Sequence, residues 1–132
     1  MKILIADDHE IVRKGVCAIL TTYLQPAHCE EASNGQEAIT KALALQPDLI
    51  LLDINMPIMG GFTAAKELKK LLPQVPILFL TMHGGDSFVS EARRAGVQGF
   101  VTKDHVGEVL VDAVKALLNS ETFFPPYASA PG

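Results

Sequence analysis

The sequence predicts an α/β fold: a parallel sheet of five strands covered by helices on both faces. Three observations carry this. Short, nearly continuous runs of apolar residues recur along the chain, and runs without polar alternation mark strands buried on both faces. Between them lie stretches whose apolar residues repeat at helical spacing. The two kinds of segment alternate five times with short connections, which places helices on both sides of one sheet with right-handed crossovers.

The first strand is residues 2–6 (KILIA). Val12, Val16, Ile19, Leu20 and Tyr23 then form one apolar stripe, the first helix. Residues 28–32 (HCEEA) are a more polar strand, expected near an edge. Ala38, Ala42 and Leu45 begin a second helix, which Pro47 stops. Residues 49–53 (LILLD) are the third strand, and Ala65, Leu68, Leu71 and Leu72 mark a helix ended by Pro73. The fourth strand is residues 76–81 (PILFLT). It leads to a short helix marked by Val89, Ala92 and Ala95 and closed by Gly96. Residues 99–102 (GFVT) form the fifth strand. The last helix carries Val106, Val109, Leu110, Ala113, Val114, Leu117 and Leu118 on one face, with Asp104 placed to cap it. After Asn119 the pattern fails. Residues 1–119 therefore read as one domain, and residues 120–132, with Phe123-Phe124-Pro125-Pro126 and a small-residue end, as a linker start or terminal tail.

Composition narrows the function. The chain has 132 residues, 48% apolar and 20% charged, a globular balance with enough length for one core. Its net charge of −4 gains nothing from counterion release, so this domain is not expected to touch nucleic acid directly. No apolar stretch reaches membrane-spanning length. Asp7 and Asp8 come too early for a signal peptide, so a cytoplasmic location is expected. Cys17 and Cys29 show no metal or redox spacing and read as small buried hydrophobes. His9, His28, His83 and His105 are too scattered for a zinc site.

The polar residues at the strand ends carry the chemistry. Asp7 and Asp8 follow the first strand, Asp53 ends the third, Thr81 the fourth, and Lys103 follows the fifth. In a parallel sheet those carboxyl ends share one edge, at which open α/β sheets bind their ligands. Three carboxylates so close repel: two unit charges about 4 Å apart cost roughly 4 kcal/mol at an effective dielectric of about 20. A hard divalent cation with oxygen ligands offsets this, and Mg²⁺ is the expected one. A carboxylate beside a metal and an ammonium is equipped to take a phosphoryl group as nucleophile. His9, beside these acids, reads as a first-turn helix residue, because Mg²⁺ prefers oxygen.

In this order, with Met56-Pro57 and Gly60-Gly61 after the central Asp in LLDINMPIMGG, these residues resemble the receiver domains of two-component response regulators. The strings DDHEIVRKG, LTMH and GFVTKD look like the NarL/FixJ (LuxR-type) branch. The resemblance covers residues 2 to 119. It implies a flavodoxin-like (βα)5 three-layer sandwich with strand order 2-1-3-4-5. It further implies Asp53 as phosphoacceptor and a Mg²⁺ held by Asp8, Asp53 and the Asn55 backbone carbonyl, with Asp7 acting through water. Thr81 and Lys103 would bind the phosphoryl group, and Thr81 and Phe100 would form the switch. Asn55, Met82 and His83 would tune the rate. The surface expected to change is residues 84–95 and 97–102. The chain departs from the family in two places: Asp104 follows Lys103 where many receivers have Pro, and Met82 follows Thr81 where many have a small residue.

The implied donor is a sensor histidine kinase, and phosphorylation promotes homodimers in this family. The domain would catalyse only its own phosphorylation and slow dephosphorylation, so it is not expected to be an enzyme. In this branch the receiver controls a C-terminal helix-turn-helix domain that binds DNA and regulates transcription. That domain is absent here, so an excised receiver is expected, with a freestanding receiver as the alternative. A phosphorylation-independent pseudo-receiver is a further alternative, as are an aspartyl-phosphate phosphatase and a flavin binder. The last two need an Asp-x-Asp pattern or a phosphate-cradling loop after the first strand, and adjacent Asp7-Asp8 supplies neither.

Overall fold

A computed structural model describes residues 1–24, 28–82 and 86–124, with the side chains of Asp86 and Ser87 left aside. Five strands alternate with five helices. They are β1 (Lys2–Ala6), α1 (Glu10–Tyr23), β2 (His28–Ala32), α2 (Gly35–Leu45), β3 (Leu49–Asp53), α3 (Gly61–Leu71), β4 (Ile77–Thr81), α4 (Asp86–Arg94), β5 (Gly99–Thr102) and α5 (Val106–Leu118). The strands form one parallel sheet in the order β2-β1-β3-β4-β5, the flavodoxin-like arrangement. No helix among the described residues is long and apolar enough to cross a membrane.

Continuous apolar strands follow from double burial. Leu4, Ile50, Leu52, Ile77, Phe79 and Phe100 pack with α2, α3 and α4 on one face. Their alternating neighbours Ile3, Ile5, Leu49, Leu51, Leu78, Leu80 and Val101 pack with α1 and α5 on the other. Every residue of β3 and β4 is buried. Residue 76 falls outside β4: Pro76 has no N–H for the ladder, although its carbonyl accepts from Ile50 N–H at 3.0 Å. Gly96 closes α4 with φ +82°, in the left-handed region that glycine tolerates.

The structure departs from expectation at two places. Asp104 does not cap α5: it lies in a 3-10 turn, Lys103–His105, and α5 has His105 at its N-cap without a side-chain cap. The Asp104 carboxylate instead meets His105 Nδ1 at 3.0 Å. A tight turn directly after β5 leaves no room for an extended capping residue at 104. The second departure lies past Asn119. Phe123 forms a parallel bridge to Gly99, donating its N–H to Gln98 O at 2.9 Å and accepting from Phe100 N–H at 3.0 Å. A Cβ on Gly99 would run into the Phe123 carbonyl. Residues 123–124 thus cover the open edge of β5, a natural place for unpaired strand groups to find a partner.

Candidate functional site

Register aligns the strand ends. Ala6 pairs with Leu52 and Asp53 with Leu80, and Thr81 pairs with Thr102, one residue before Lys103. Asp7, Asp53, Thr81 and Lys103 therefore emerge side by side at the carboxyl edge. The β3–α3 connection folds back over this edge because Gly61 N–H reaches the Ile54 carbonyl at 2.8 Å. A Cβ on Gly61 would strike the Asp53 carbonyl.

Asp7 is fully buried and Asp53 is 3% exposed, whereas Asp8 lies at the rim. Lys103 Nζ stands 2.9 Å from Asp7 Oδ2 and 3.4 Å from Asp53 Oδ2. Neither Oδ2 receives an aligned hydrogen bond, so these contacts act through charge rather than direction. Asp7 Oδ1 accepts the His9 backbone N–H at 2.8 Å, and Asn55 N–H points at Asp53 Oδ1 from 3.4 Å. Burial, and then the neighbouring Asp7 charge, push the Asp53 carboxyl up to about 6, with Lys103 pulling the other way.

One donor atom from each of Asp7, Asp8, His9 and Asp53 lies within 4.8 Å of the others. Two buried carboxylate oxygens lacking aligned donors, in a set dominated by oxygen, suit a hard divalent cation. Thr81 is buried at the same edge. Phe100 is fully buried on the α4 face of the sheet, the face to which alternation also assigns Thr81. Its ring stands 4.8 Å from Phe88 and 6.0 Å from Phe124. Met82 is exposed at the rim, and so is Asn55. His83, with positions 84 and 85, lies outside the described residues.

Two residues were underread from sequence. His9 is the N-cap of α1 rather than a first-turn residue, and its Nδ1 meets Asp7 at 3.0 Å and Asp8 at 3.1 Å. Arg13, four residues on and so on the same helix face, donates to the Asp7 carbonyl at 2.6 Å. That (i, i+4) spacing was the available signal.

The chain matches the response regulator receiver domain family over residues 3–115. It is 40% identical over 126 residues to the response regulator protein VraR of Staphylococcus aureus, covering 96% of this chain and 60% of that protein. The chain thus spans about three fifths of the length of the curated relatives it matches. A LuxR-family two-component response regulator from Aurantimonas sp. SI85-9A1 superposes with TM-score 0.88 at 31% identity, over 96% of this chain and 91% of that one. The isolated receiver domain of RcsB from Salmonella enterica serovar Typhimurium, solved with the phosphomimetic BeF3-, gives 0.86 at 26% identity over 97% and 95%. The LuxR-family assignment of the Aurantimonas protein agrees with the NarL/FixJ branch read from the motifs. With five strands in the order 2-1-3-4-5 and an acidic edge closed by a lysine, the chain belongs to the response regulator receiver domains of two-component systems.

Proposed function

We propose that this domain is a phosphorylation switch whose acceptor is Asp53, charged by a sensor histidine kinase in the presence of Mg²⁺. The observation that carries this is Asp53 itself. It is a nearly buried carboxylate at the central strand end, beside a second buried carboxylate and within 3.4 Å of an ammonium. A nucleophilic carboxylate of this kind attacks the phosphorus of a phosphohistidine, and the histidine leaves with the bonding electrons.

Asp8, Asp53 and the Asn55 carbonyl would hold Mg²⁺, with Asp7 acting through water. When bound, the ion neutralises charge on the transferring group. Lys103 supplies the fixed positive charge of the protein, and Thr81 offers a hydroxyl to a phosphoryl oxygen. A phosphoryl group adds about −1.5 to −2 charge and three acceptor oxygens. Drawing Thr81 toward it frees space on the face that Phe100 occupies, so the switch is read by packing, through α4 and β5. Asn55, Met82 and His83 tune access and hydrolysis.

The domain's only chemistry is its own phosphorylation and slow dephosphorylation. It works in the cytoplasm and, by likeness to its LuxR-family relatives, controls a DNA-binding output domain and so transcription. The receiver unit is residues 1–119, with residues 123–124 docked on its β5 edge, and phosphorylation promotes a homodimer. Intact mass after incubation with acetyl phosphate tests the core of this reading. The expected result is a gain of one phosphoryl group that needs Mg²⁺, is abolished by EDTA and is missing in Asp53→Asn. No gain in folded, Mg²⁺-binding protein would favour a pseudo-receiver.

A further inference from the structure

Outside the acidic cleft, α1 and β2 meet along a line set by charge. Glu31 on β2 accepts from Arg13 Nε at 2.9 Å and from Lys14 Nζ at 2.8 Å, both on α1. Cys17 follows those donors at (i, i+4) and (i, i+3), hence on the same helix face. Cys29 precedes Glu31 by two residues, so its side chain leaves the same face of the strand. In a βαβ unit the helix runs opposite to the strands, so moving down the helix from Arg13 tracks moving back along β2 from Glu31. The ion pairs therefore set a register that lays Cys17 over Cys29.

The two thiols pack at the margin of the same core and influence each other's ionisation. Both are free and half-buried, at the margin of the core formed by Val16, Leu20 and Ile3. Contrary to the expectation of two buried hydrophobes, each cysteine is partly open to solvent.

We propose that Cys17 and Cys29 are a redox site, closing to an intramolecular disulfide when a low-molecular-weight disulfide is the oxidant. Cys29 is the attacking sulfur. The neighbouring Cys17 lowers the Cys29 thiol, while Cys29 in turn pushes Cys17 up. The Cys29 thiolate attacks one sulfur of the oxidant, forming a mixed disulfide and expelling one small thiolate. Cys17 then loses its proton and attacks the Cys29 sulfur, forming the protein disulfide and expelling the second small thiolate. The cysteines give up two electrons, the oxidant takes them, and the two protons end on the two small thiols. The bond ties α1 to the edge strand one helical turn from Arg13, whose guanidinium holds the Asp7 carbonyl.

The test incubates reduced protein with oxidised glutathione, in native buffer and in urea, followed by acid quench, intact mass and peptide mapping. The native protein should lose two hydrogen atoms and yield a Cys17–Cys29 linked peptide. Its equilibrium constant for closure should exceed that of the unfolded chain by about tenfold or more. Cys17→Ser should hold glutathione on Cys29, and Cys29→Ser should react about tenfold more slowly than Cys17→Ser. Glutathione adducts that persist on the native wild type, or closure no more favourable than in urea, would overturn the proposal.

Discussion

Asp53 carries a charge that its surroundings resist. Burial, and then the Asp7 charge, hold its carboxyl at about 6 against the help of Lys103. Its folded pKa is thus raised above the ordinary value, so the folded state binds the proton more tightly than the unfolded chain does. The resulting stability is fully present below about pH 4 and is lost as pH rises through about 6. Metal-free protein should therefore lose on the order of 2–3 kcal/mol between mild acid and neutral pH from this group. Asp53→Asn should remove that component and be the more stable protein at neutral pH; urea melts at both pH values measure it. Equal pH dependence in both proteins would contradict the assignment. Ile58 is the second residue under strain: a β-branched side chain at φ +69° and 84% exposed. It packs on little and pays a left-handed backbone cost of roughly 1–2 kcal/mol, which glycine avoids at some entropic expense. Ile58→Gly should stabilise the fold by about 0.5–1 kcal/mol, read by thermal or urea unfolding.

At the scale of elements, α2 shows how local chemistry starts a helix. Asn34 caps it by accepting from Glu37 N–H at 2.8 Å, while the Glu37 carboxylate accepts from Ser33 N–H at 2.9 Å. Asn34→Ala should cost about 1 kcal/mol in urea unfolding with little change at the acidic edge. The segment past α5 is the less expected element. Phe124 stacks edge-on to Phe100 and lies under Arg93 at 4.0 Å, and the backbone of Phe123 completes the ladder of β5. Ending the chain at Thr122 should therefore speed hydrogen exchange at the Phe100 amide, whose acceptor is Phe123 O. Unchanged protection of that amide would show that residues 123–124 do not hold the edge in solution.

Across the whole molecule, the acidic edge is assembled from strands that are distant in sequence, so a cation bound there stabilises the entire fold. The linkage is RT ln(1 + [L]/Kd), about 2.7 kcal/mol at a free concentration ~100 times Kd. Added Mg²⁺ should raise the melting temperature in a saturable way, EDTA should reverse it, and Asp8→Ala should blunt it. Because the ion would offset the repulsion between Asp7 and Asp53, its effect should also be larger at neutral pH than in mild acid, where Asp53 is protonated.

Element type and order were legible in the sequence because burial on both faces writes itself as unbroken runs such as LILLD and ILFLT, and helices write a 3.6-residue stripe. The strand-end acids were legible for the same reason: Asp7 and Asp53 are each the first polar residue after such a run, and Asp8 adjoins Asp7. What the sequence did not carry is how elements meet. The pairing of Cys17 with Cys29 depends on the register of α1 on β2, set by Glu31 with Arg13 and Lys14. The docking of Phe123 on Gly99 joins residues whose sequence neighbours give no hint of each other. The sequence by itself determined the alternating α/β plan and the residues at the carboxyl edge, since periodicity and burial are local properties of a segment. Only the tertiary structure decided the distances between those residues, the raised Asp53 carboxyl and the thiol pair, because desolvation and Coulomb interaction depend on what the rest of the chain brings alongside.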